Sequence, residues 1–193
     1  MAAIDFEAAA RYLKGLAPVA GYVRASEGLV VEARGVSGGE AENLAAWATQ
    51  LVRRARRELG LGDPAAAVFH SPERDVAVAA SGGDSIIVIS KPGFGEPLLR
   101  AITGEGPRCG RCGADLSWAV ILCPRCGARL PFSATHCSEC GATLHWRRCP
   151  HCGAVVDDGG RPARLRERLL APAARSLPGG VLGGPGGPTP RAD

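Results

Sequence analysis

Apolar positions open the chain at helical spacing: Phe6, Ala9, Leu13 and Leu16 in "IDFEAAARYLKGLA". This predicts a short helix ending between Gly15 and Pro18. The next stretch, "VAGYVRASEGLVVEARG", changes period. Two strand-like runs flank Ser26-Glu27-Gly28, which predicts a β-hairpin with a tight turn. Ser37 precedes Glu40 by three residues, the spacing of a capping box. A long helix is expected over 40–59. Leu44, Ala48, Leu51, Val52, Ala55 and Leu59 fall on one narrow stripe, and Arg53, Arg54, Arg56 and Arg57 lie opposite. Trp47 sits at the edge of the stripe. Gly60 and Gly62 end the helix.

Strand patterns return at 66–70, 75–80 and 85–90, joined by Ser71-Pro72-Glu73 and by Ser81-Gly82-Gly83-Asp84. Ile86 to Ile89 is apolar on both faces, as a central strand covered on both sides would be. "GEPLLRAIT" (95–103) predicts a last short helix. The element order is α-β-β-α-β-β-β-α. The fold class is α/β (α+β), with a five-stranded antiparallel sheet and helices on both faces. Domain limits follow at 1–104, 105–156 and 157–193, with "TGEGP" (103–107) as a short linker. The last segment is Gly/Pro-rich without periodicity and is expected to be mostly disordered. Leu165 and Leu169 among five arginines hint at a brief basic helix there, too short to hold alone in water.

Order and symmetry within this pattern bring a family into view. The hairpin "GYVRASEGLVVEARG" with Gly28-Leu29-Val30, the long helix at 40–59 and "SGGDSIIVIS" near the end resemble the roadblock family. That family includes roadblock-type dynein light chains and prokaryotic regulators of Ras-like GTPases. The resemblance implies homodimerisation through the long helix and the strand after it. It places Leu44, Trp47, Leu51 and Phe69 at the interface, where large aromatics concentrate. It implies a small Ras-like GTPase, or another protein, as partner. It supplies no catalytic finger residue. The chain also lacks the G-x-x-x-x-G-K-[ST], G-x-S-x-G and H-E-x-x-H patterns, and His70 has no obvious acid beside it, so a non-enzyme is expected.

All eight cysteines lie in four C-x-x-C pairs: "CGRCGADL", "CPRCGARL", "CSECGATL" and "CPHCGAVV". Two residues between thiolates let the backbone curl so that both sulfurs face one ion. Gly113, Gly127, Gly141 and Gly153 tolerate positive φ and let N–H groups approach the sulfurs. Eight ligands make two closed four-thiolate sites, with zinc expected as two structural ions and iron as the alternative. The ligands are Cys109, Cys112, Cys123, Cys126, Cys137, Cys140, Cys149 and Cys152. His136, His145 and His151 are surplus to them. Redox catalysis is disfavoured, because the pair recurs four times and no thioredoxin-like βαβ pattern surrounds it.

Two pairing schemes are open. Consecutive pairing places Cys109, Cys112, Cys123 and Cys126 on one ion and the rest on the other. Interleaved pairing joins the first pair to the third and the second to the fourth. The intervals of ten and eight residues suit hairpins that bring consecutive knuckles together, with "LSWAVIL" and "TLHWRR" as strands. Consecutive pairing is therefore favoured, as in double zinc ribbon modules. Residues 105–153 hold few large apolar side chains, so metal is expected to supply their folding energy.

Charge adjusts the choice of partner. Residues 105–153 carry six basic and three acidic groups, but eight thiolates around two Zn2+ bring the net charge to −1. This lowers the case for nucleic acid, whose candidate contacts are Arg108, Arg111, Arg125, Arg129, Arg147 and Arg148 with Trp118 and Trp146. No window is apolar enough for a membrane span, and the start "MAAIDFEAAA" lacks the features of a signal peptide, so a cytoplasmic location with reduced thiols is expected.

Overall fold

A computed structural model describes residues 4–60, 62–63, 65–145 and 147–156. The expected basic helix around Leu165 and the disordered tail lie outside the described residues, as does Trp146. Helix α1 (Phe6–Leu13) starts where the Asp5 carboxylate accepts the Ala8 amide at 2.8 Å. Strands β1 (Val19–Ser26) and β2 (Leu29–Arg34) form the expected hairpin. Its two-residue loop places both Glu27 (φ 51°) and Gly28 (φ 84°) in the left-handed region, as a type I′ turn requires. Helix α2 (Gly38–Leu59) begins where Ser37 Oγ accepts the Glu40 amide at 3.4 Å, and it ends on Gly60 at φ 64°. Strands β3 (Ala65–His70), β4 (Asp75–Ser81) and β5 (Asp84–Ser90) precede helix α3 (Gly95–Ile102).

The five strands form one antiparallel sheet in the order β2-β1-β5-β4-β3. Strand β5 is central, and Ser85 to Ser90 are all buried, which explains its unbroken apolar run. One face carries Tyr22, Ala77, Ala79, Ile86 and Val88 against α1 and α3. The other carries Val23, Ala25, Val78 and Ile87 against α2.

The buried seam of α2 differs from the expected stripe. Its fully buried residues are Ala41, Ala45 and Ala48, with Leu44 and Val52 packed beside them. Alanines let the helix approach the sheet closely, and the larger side chains are displaced to the flanks. Leu59, expected on the inner stripe, is 72% exposed.

Four short strands follow: β6 (Val120–Leu122), β7 (Arg129–Pro131), β8 (Arg147–Arg148) and β9 (Val155–Val156). They pair as two small hairpins, β6 with β7 and β8 with β9. All described residues belong to one compact unit. Cys123, Leu130, Ala134, Cys137 and Leu144 share a single core cluster with α1, α3 and one face of the sheet. The cysteine region thus draws on apolar surface from the first hundred residues as well as on its own few large side chains. Among the described residues no helix is long and apolar enough to cross a membrane.

Candidate metal centres

Each C-x-x-C-G-A segment is the turn of its own small hairpin. The Cys109 amide donates to the Ala114 carbonyl at 2.8 Å, and the Gly113 amide donates back to the Cys109 carbonyl at 2.8 Å. The same two bonds recur at Cys123 and Gly127, at Cys137 and Gly141, and at Cys149 and Gly153, between 2.8 and 3.0 Å. The glycines stand at φ 68–75°, where any other residue would strain the backbone. Flanking chain pairs across every knuckle. Strands β6 and β7 flank the second, β8 and β9 the fourth, and the bridges Arg108–Asp115 and His136–Thr143 flank the first and third.

The positions of the sulfurs overturn the consecutive scheme. "LSWAVIL" and "TLHWRR" do not join two knuckles; β6 and β8 each lead into one knuckle and pair with the strand that leaves it. The sulfurs gather as Cys123, Cys126, Cys137 and Cys140 in an inner set, and as Cys109, Cys112, Cys149 and Cys152 in an outer set. The arrangement is nested, so the interleaved scheme is not followed either.

Each set suits a thiophilic ion. In the inner set Cys123 Sγ lies 3.6 Å from Cys140 Sγ, and Cys126 Sγ lies 3.5 Å from Cys137 Sγ. In the outer set the Cys109–Cys152 and Cys112–Cys149 separations are both 3.8 Å. A tetrahedron with Zn–S bonds of about 2.3 Å has edges of about 3.8 Å. All eight thiols are free of disulfides. Four thiolates fill the tetrahedron and leave no position for water or substrate, so neither set is catalytic.

Backbone amides tune the sulfurs. The N–H groups of Cys112 and Arg111 draw the Cys109 thiol down to about 6. At Cys123 burial pushes the other way, but the amides of Cys126 and Arg125 prevail and hold it at about 6. Cys112 rises to about 12. The Ala114 amide pulls it down, while desolvation and the sulfurs of Cys109, Cys152 and Cys149 push it up. Cys126 rises to about 12 in the same way, so each set pairs one thiol favoured as thiolate with one favoured as neutral thiol. A bound zinc ion would supply a structural cross-link in each set.

A family model described as "Double zinc ribbon" matches residues 123–161. The match takes in the inner set and the fourth pair, and it leaves Cys109 and Cys112 outside. Among solved structures the chain is similar to a crystal structure of a Roadblock/LC7 domain from Streptomyces avermitilis. That likeness has 19% identity and a TM-score of 0.39, and it covers 53% of this chain and 96% of the other. A second Roadblock/LC7 domain structure from the same organism gives 26% identity and a TM-score of 0.34, over 45% of this chain and 78% of the other. Comparison with curated proteins gives no match.

Of the remaining candidates, the fold gathers Leu44, Trp47, Leu51 and Phe69 on one flank. Trp47 and Phe69 meet edge to face with ring centroids 5.2 Å apart, and both stay exposed, at 39% and 40%. Leu44 and Leu51 are half-buried on the same flank of α2, at helical spacing from Trp47. Arg147 is only 3% exposed. Its guanidinium lies 5.8 Å above the Phe132 ring and donates to the Ala134 carbonyl, so it is withdrawn from the set of nucleic-acid contacts. His70 does have an acid. Asp75, its partner across the β3–β4 hairpin, accepts from His70 Nδ1 at 3.0 Å. The pairing was missed because Asp75 lies five residues away, beyond a turn. Asp75 also accepts the Gly93 and Gly95 amides at 2.8 and 3.0 Å, which fixes the entry to α3.

Proposed function

We propose that the protein is a non-enzymatic scaffold, in which a roadblock-like domain of residues 1–104 homodimerises and engages a small Ras-like GTPase. Residues 105–156 are its zinc ribbon module, with one structural Zn2+ in each cysteine set, and serve to dock another protein. The exposed Trp47–Phe69 pair carries the dimer reading. It stands beside β3, one of the two edge strands of the sheet, with Leu44 and Leu51 on the same helix flank. An edge strand offers unpaired N–H and C=O groups, and exposed aromatics beside it favour a partner that extends the sheet. The GTPase rests on the family resemblance of the α-β-β-α-β-β-β-α order. Free thiols held in metal-type sets suit a reducing, cytoplasmic setting.

Light scattering on a sizing column at micromolar concentration tests the dimer. The reading expects twice the chain mass for the wild type and a shift to monomer for Trp47→Asp/Phe69→Asp. A monomeric wild type would remove it. Capture of a Ras-like GTPase by the wild type, with altered nucleotide hydrolysis, tests the partner.

A further inference from the structure

We propose that the two metal centres are ranked. The inner centre is part of the N-terminal domain's fold, and the outer centre is a detachable one that forms only on top of it. This rests on the zinc reading given above.

The inner centre is joined to the domain at several points. Cys123 and Cys137 are buried in the core that α1 and α3 share with the sheet. The Ala17 amide donates to the Arg129 carbonyl at 2.8 Å, linking the α1–β1 loop to β7. Lys91 pairs with Glu139, between ligands Cys137 and Cys140, at 2.7 Å. Phe94 packs against His136 with ring centroids 5.0 Å apart. Loss of this centre would uncover the α1 and α3 face.

The outer centre has a slighter footing: Trp118, just past its first knuckle, meets Tyr12 of α1 edge to face with ring centroids 5.4 Å apart. Its core is Cys109, Leu116, Phe132, Cys149 and Val156, with Ile121 alongside, and among the described residues no member precedes Cys109. Ile121 lies in β6 and Phe132 follows β7, so both come from the hairpin that carries half of the inner centre. Arg147, beside the outer ligand Cys149, reaches back to the Ala134 carbonyl and the Phe132 ring. The outer centre is therefore built on the inner hairpin, while the inner centre is built on the domain.

Topology favours the same order. Ten residues separate Cys126 from Cys137, whereas thirty-six separate Cys112 from Cys149. Closing the longer loop in an open chain is about sevenfold less favourable, and an inner centre already in place shortens the effective loop to roughly twenty residues and cuts that factor to about three. Packing sets the rank, and loop closure adds to it. The outer zinc then becomes the exchangeable one. The surface it organises, with Arg108, Arg111 and Arg148 exposed, is complete only while that zinc is bound.

The test is stepwise zinc removal from the full wild-type chain by a chelator. It is followed by native mass spectrometry and by alkylation mapping of each cysteine. A one-zinc species should accumulate in which Cys109, Cys112, Cys149 and Cys152 react at least tenfold faster than the inner four. A Cys149→Ser/Cys152→Ser variant should keep one zinc and the domain's unfolding midpoint. Faster reaction of the inner cysteines, or release of both ions together, would overturn the ranking. So would loss of the domain's midpoint in the outer variant. A wild-type chain that binds no zinc would overturn the metal reading itself, and the ranking with it.

Discussion

The Ala17 amide donates to the Arg129 carbonyl at 2.8 Å, and the next residue, Leu130, is fully buried in the core beneath α1. The ribbon is thus a wall of that core. Leu130→Ala would leave a cavity there, at a cost of about 2–5 kcal/mol. Because the helices lie in the first part of the chain, a far-UV circular dichroism melt at fixed zinc should show their midpoint fall. Unchanged helix melting would mean that the ribbon is energetically separate.

Asp75 should impose an acid limit on stability. Burial raises its pKa, but the Gly95 amide, His70 and the Gly93 amide prevail and lower it below the ordinary value. Its contribution is complete above the unfolded value of about 3.9 and is lost as pH falls through the lower folded value. Asp75→Asn should flatten the acid side of a stability–pH curve. At neutral pH it should cost about 1–3 kcal/mol, because donors built for a carboxylate lose it. Denaturant midpoints across pH 2–7 would check both effects.

Two glycines should respond differently to alanine. Gly127 has φ 75° and nothing within 4 Å of an added Cβ, so Gly127→Ala should cost only backbone strain, about 1–2 kcal/mol. At Gly106 an added Cβ would lie 2.4 Å from Ser117 Cα, and the Gly106 amide donates to Ser117 Oγ at 3.0 Å. Gly106→Ala must displace backbone beside Leu116 of the outer core, and urea unfolding should show the larger loss. This position, expected to be a linker, is held in place.

On the proposed dimer surface, Trp47→Ala should raise the dimer dissociation constant about 30-fold, corresponding to a hot-spot loss of about 2 kcal/mol. The fold should persist, since Trp47 is 39% exposed in the single chain. Sedimentation equilibrium with circular dichroism separates the two effects.

The sequence disclosed most of the elements because period and punctuation act locally. The apolar run of β5, the Glu27-Gly28 turn and the Gly60 cap each carry their own signal. The α2 seam was less legible, since alanine contributes little to an apolar stripe even where it makes the closest contact. Ligand pairing was not legible from spacing. Successive pairs are ten, ten and eight residues apart, which suits several schemes equally. The usable signal was the repeat itself. Each C-x-x-C-G-A segment turns its own hairpin, so the strands beside it pair across that knuckle and do not join it to the next. Which hairpins then meet depends on packing against α1 and α3, which no local pattern encodes.

Cadmium substitution reads out the nested pairing ion by ion. In the chain loaded with cadmium-113, metal–proton correlations report which cysteine Hβ atoms are bonded to each ion. One ion should correlate with Cys123, Cys126, Cys137 and Cys140, and the other with Cys109, Cys112, Cys149 and Cys152. A single ion correlated with both Cys109 and Cys123 would contradict that pairing.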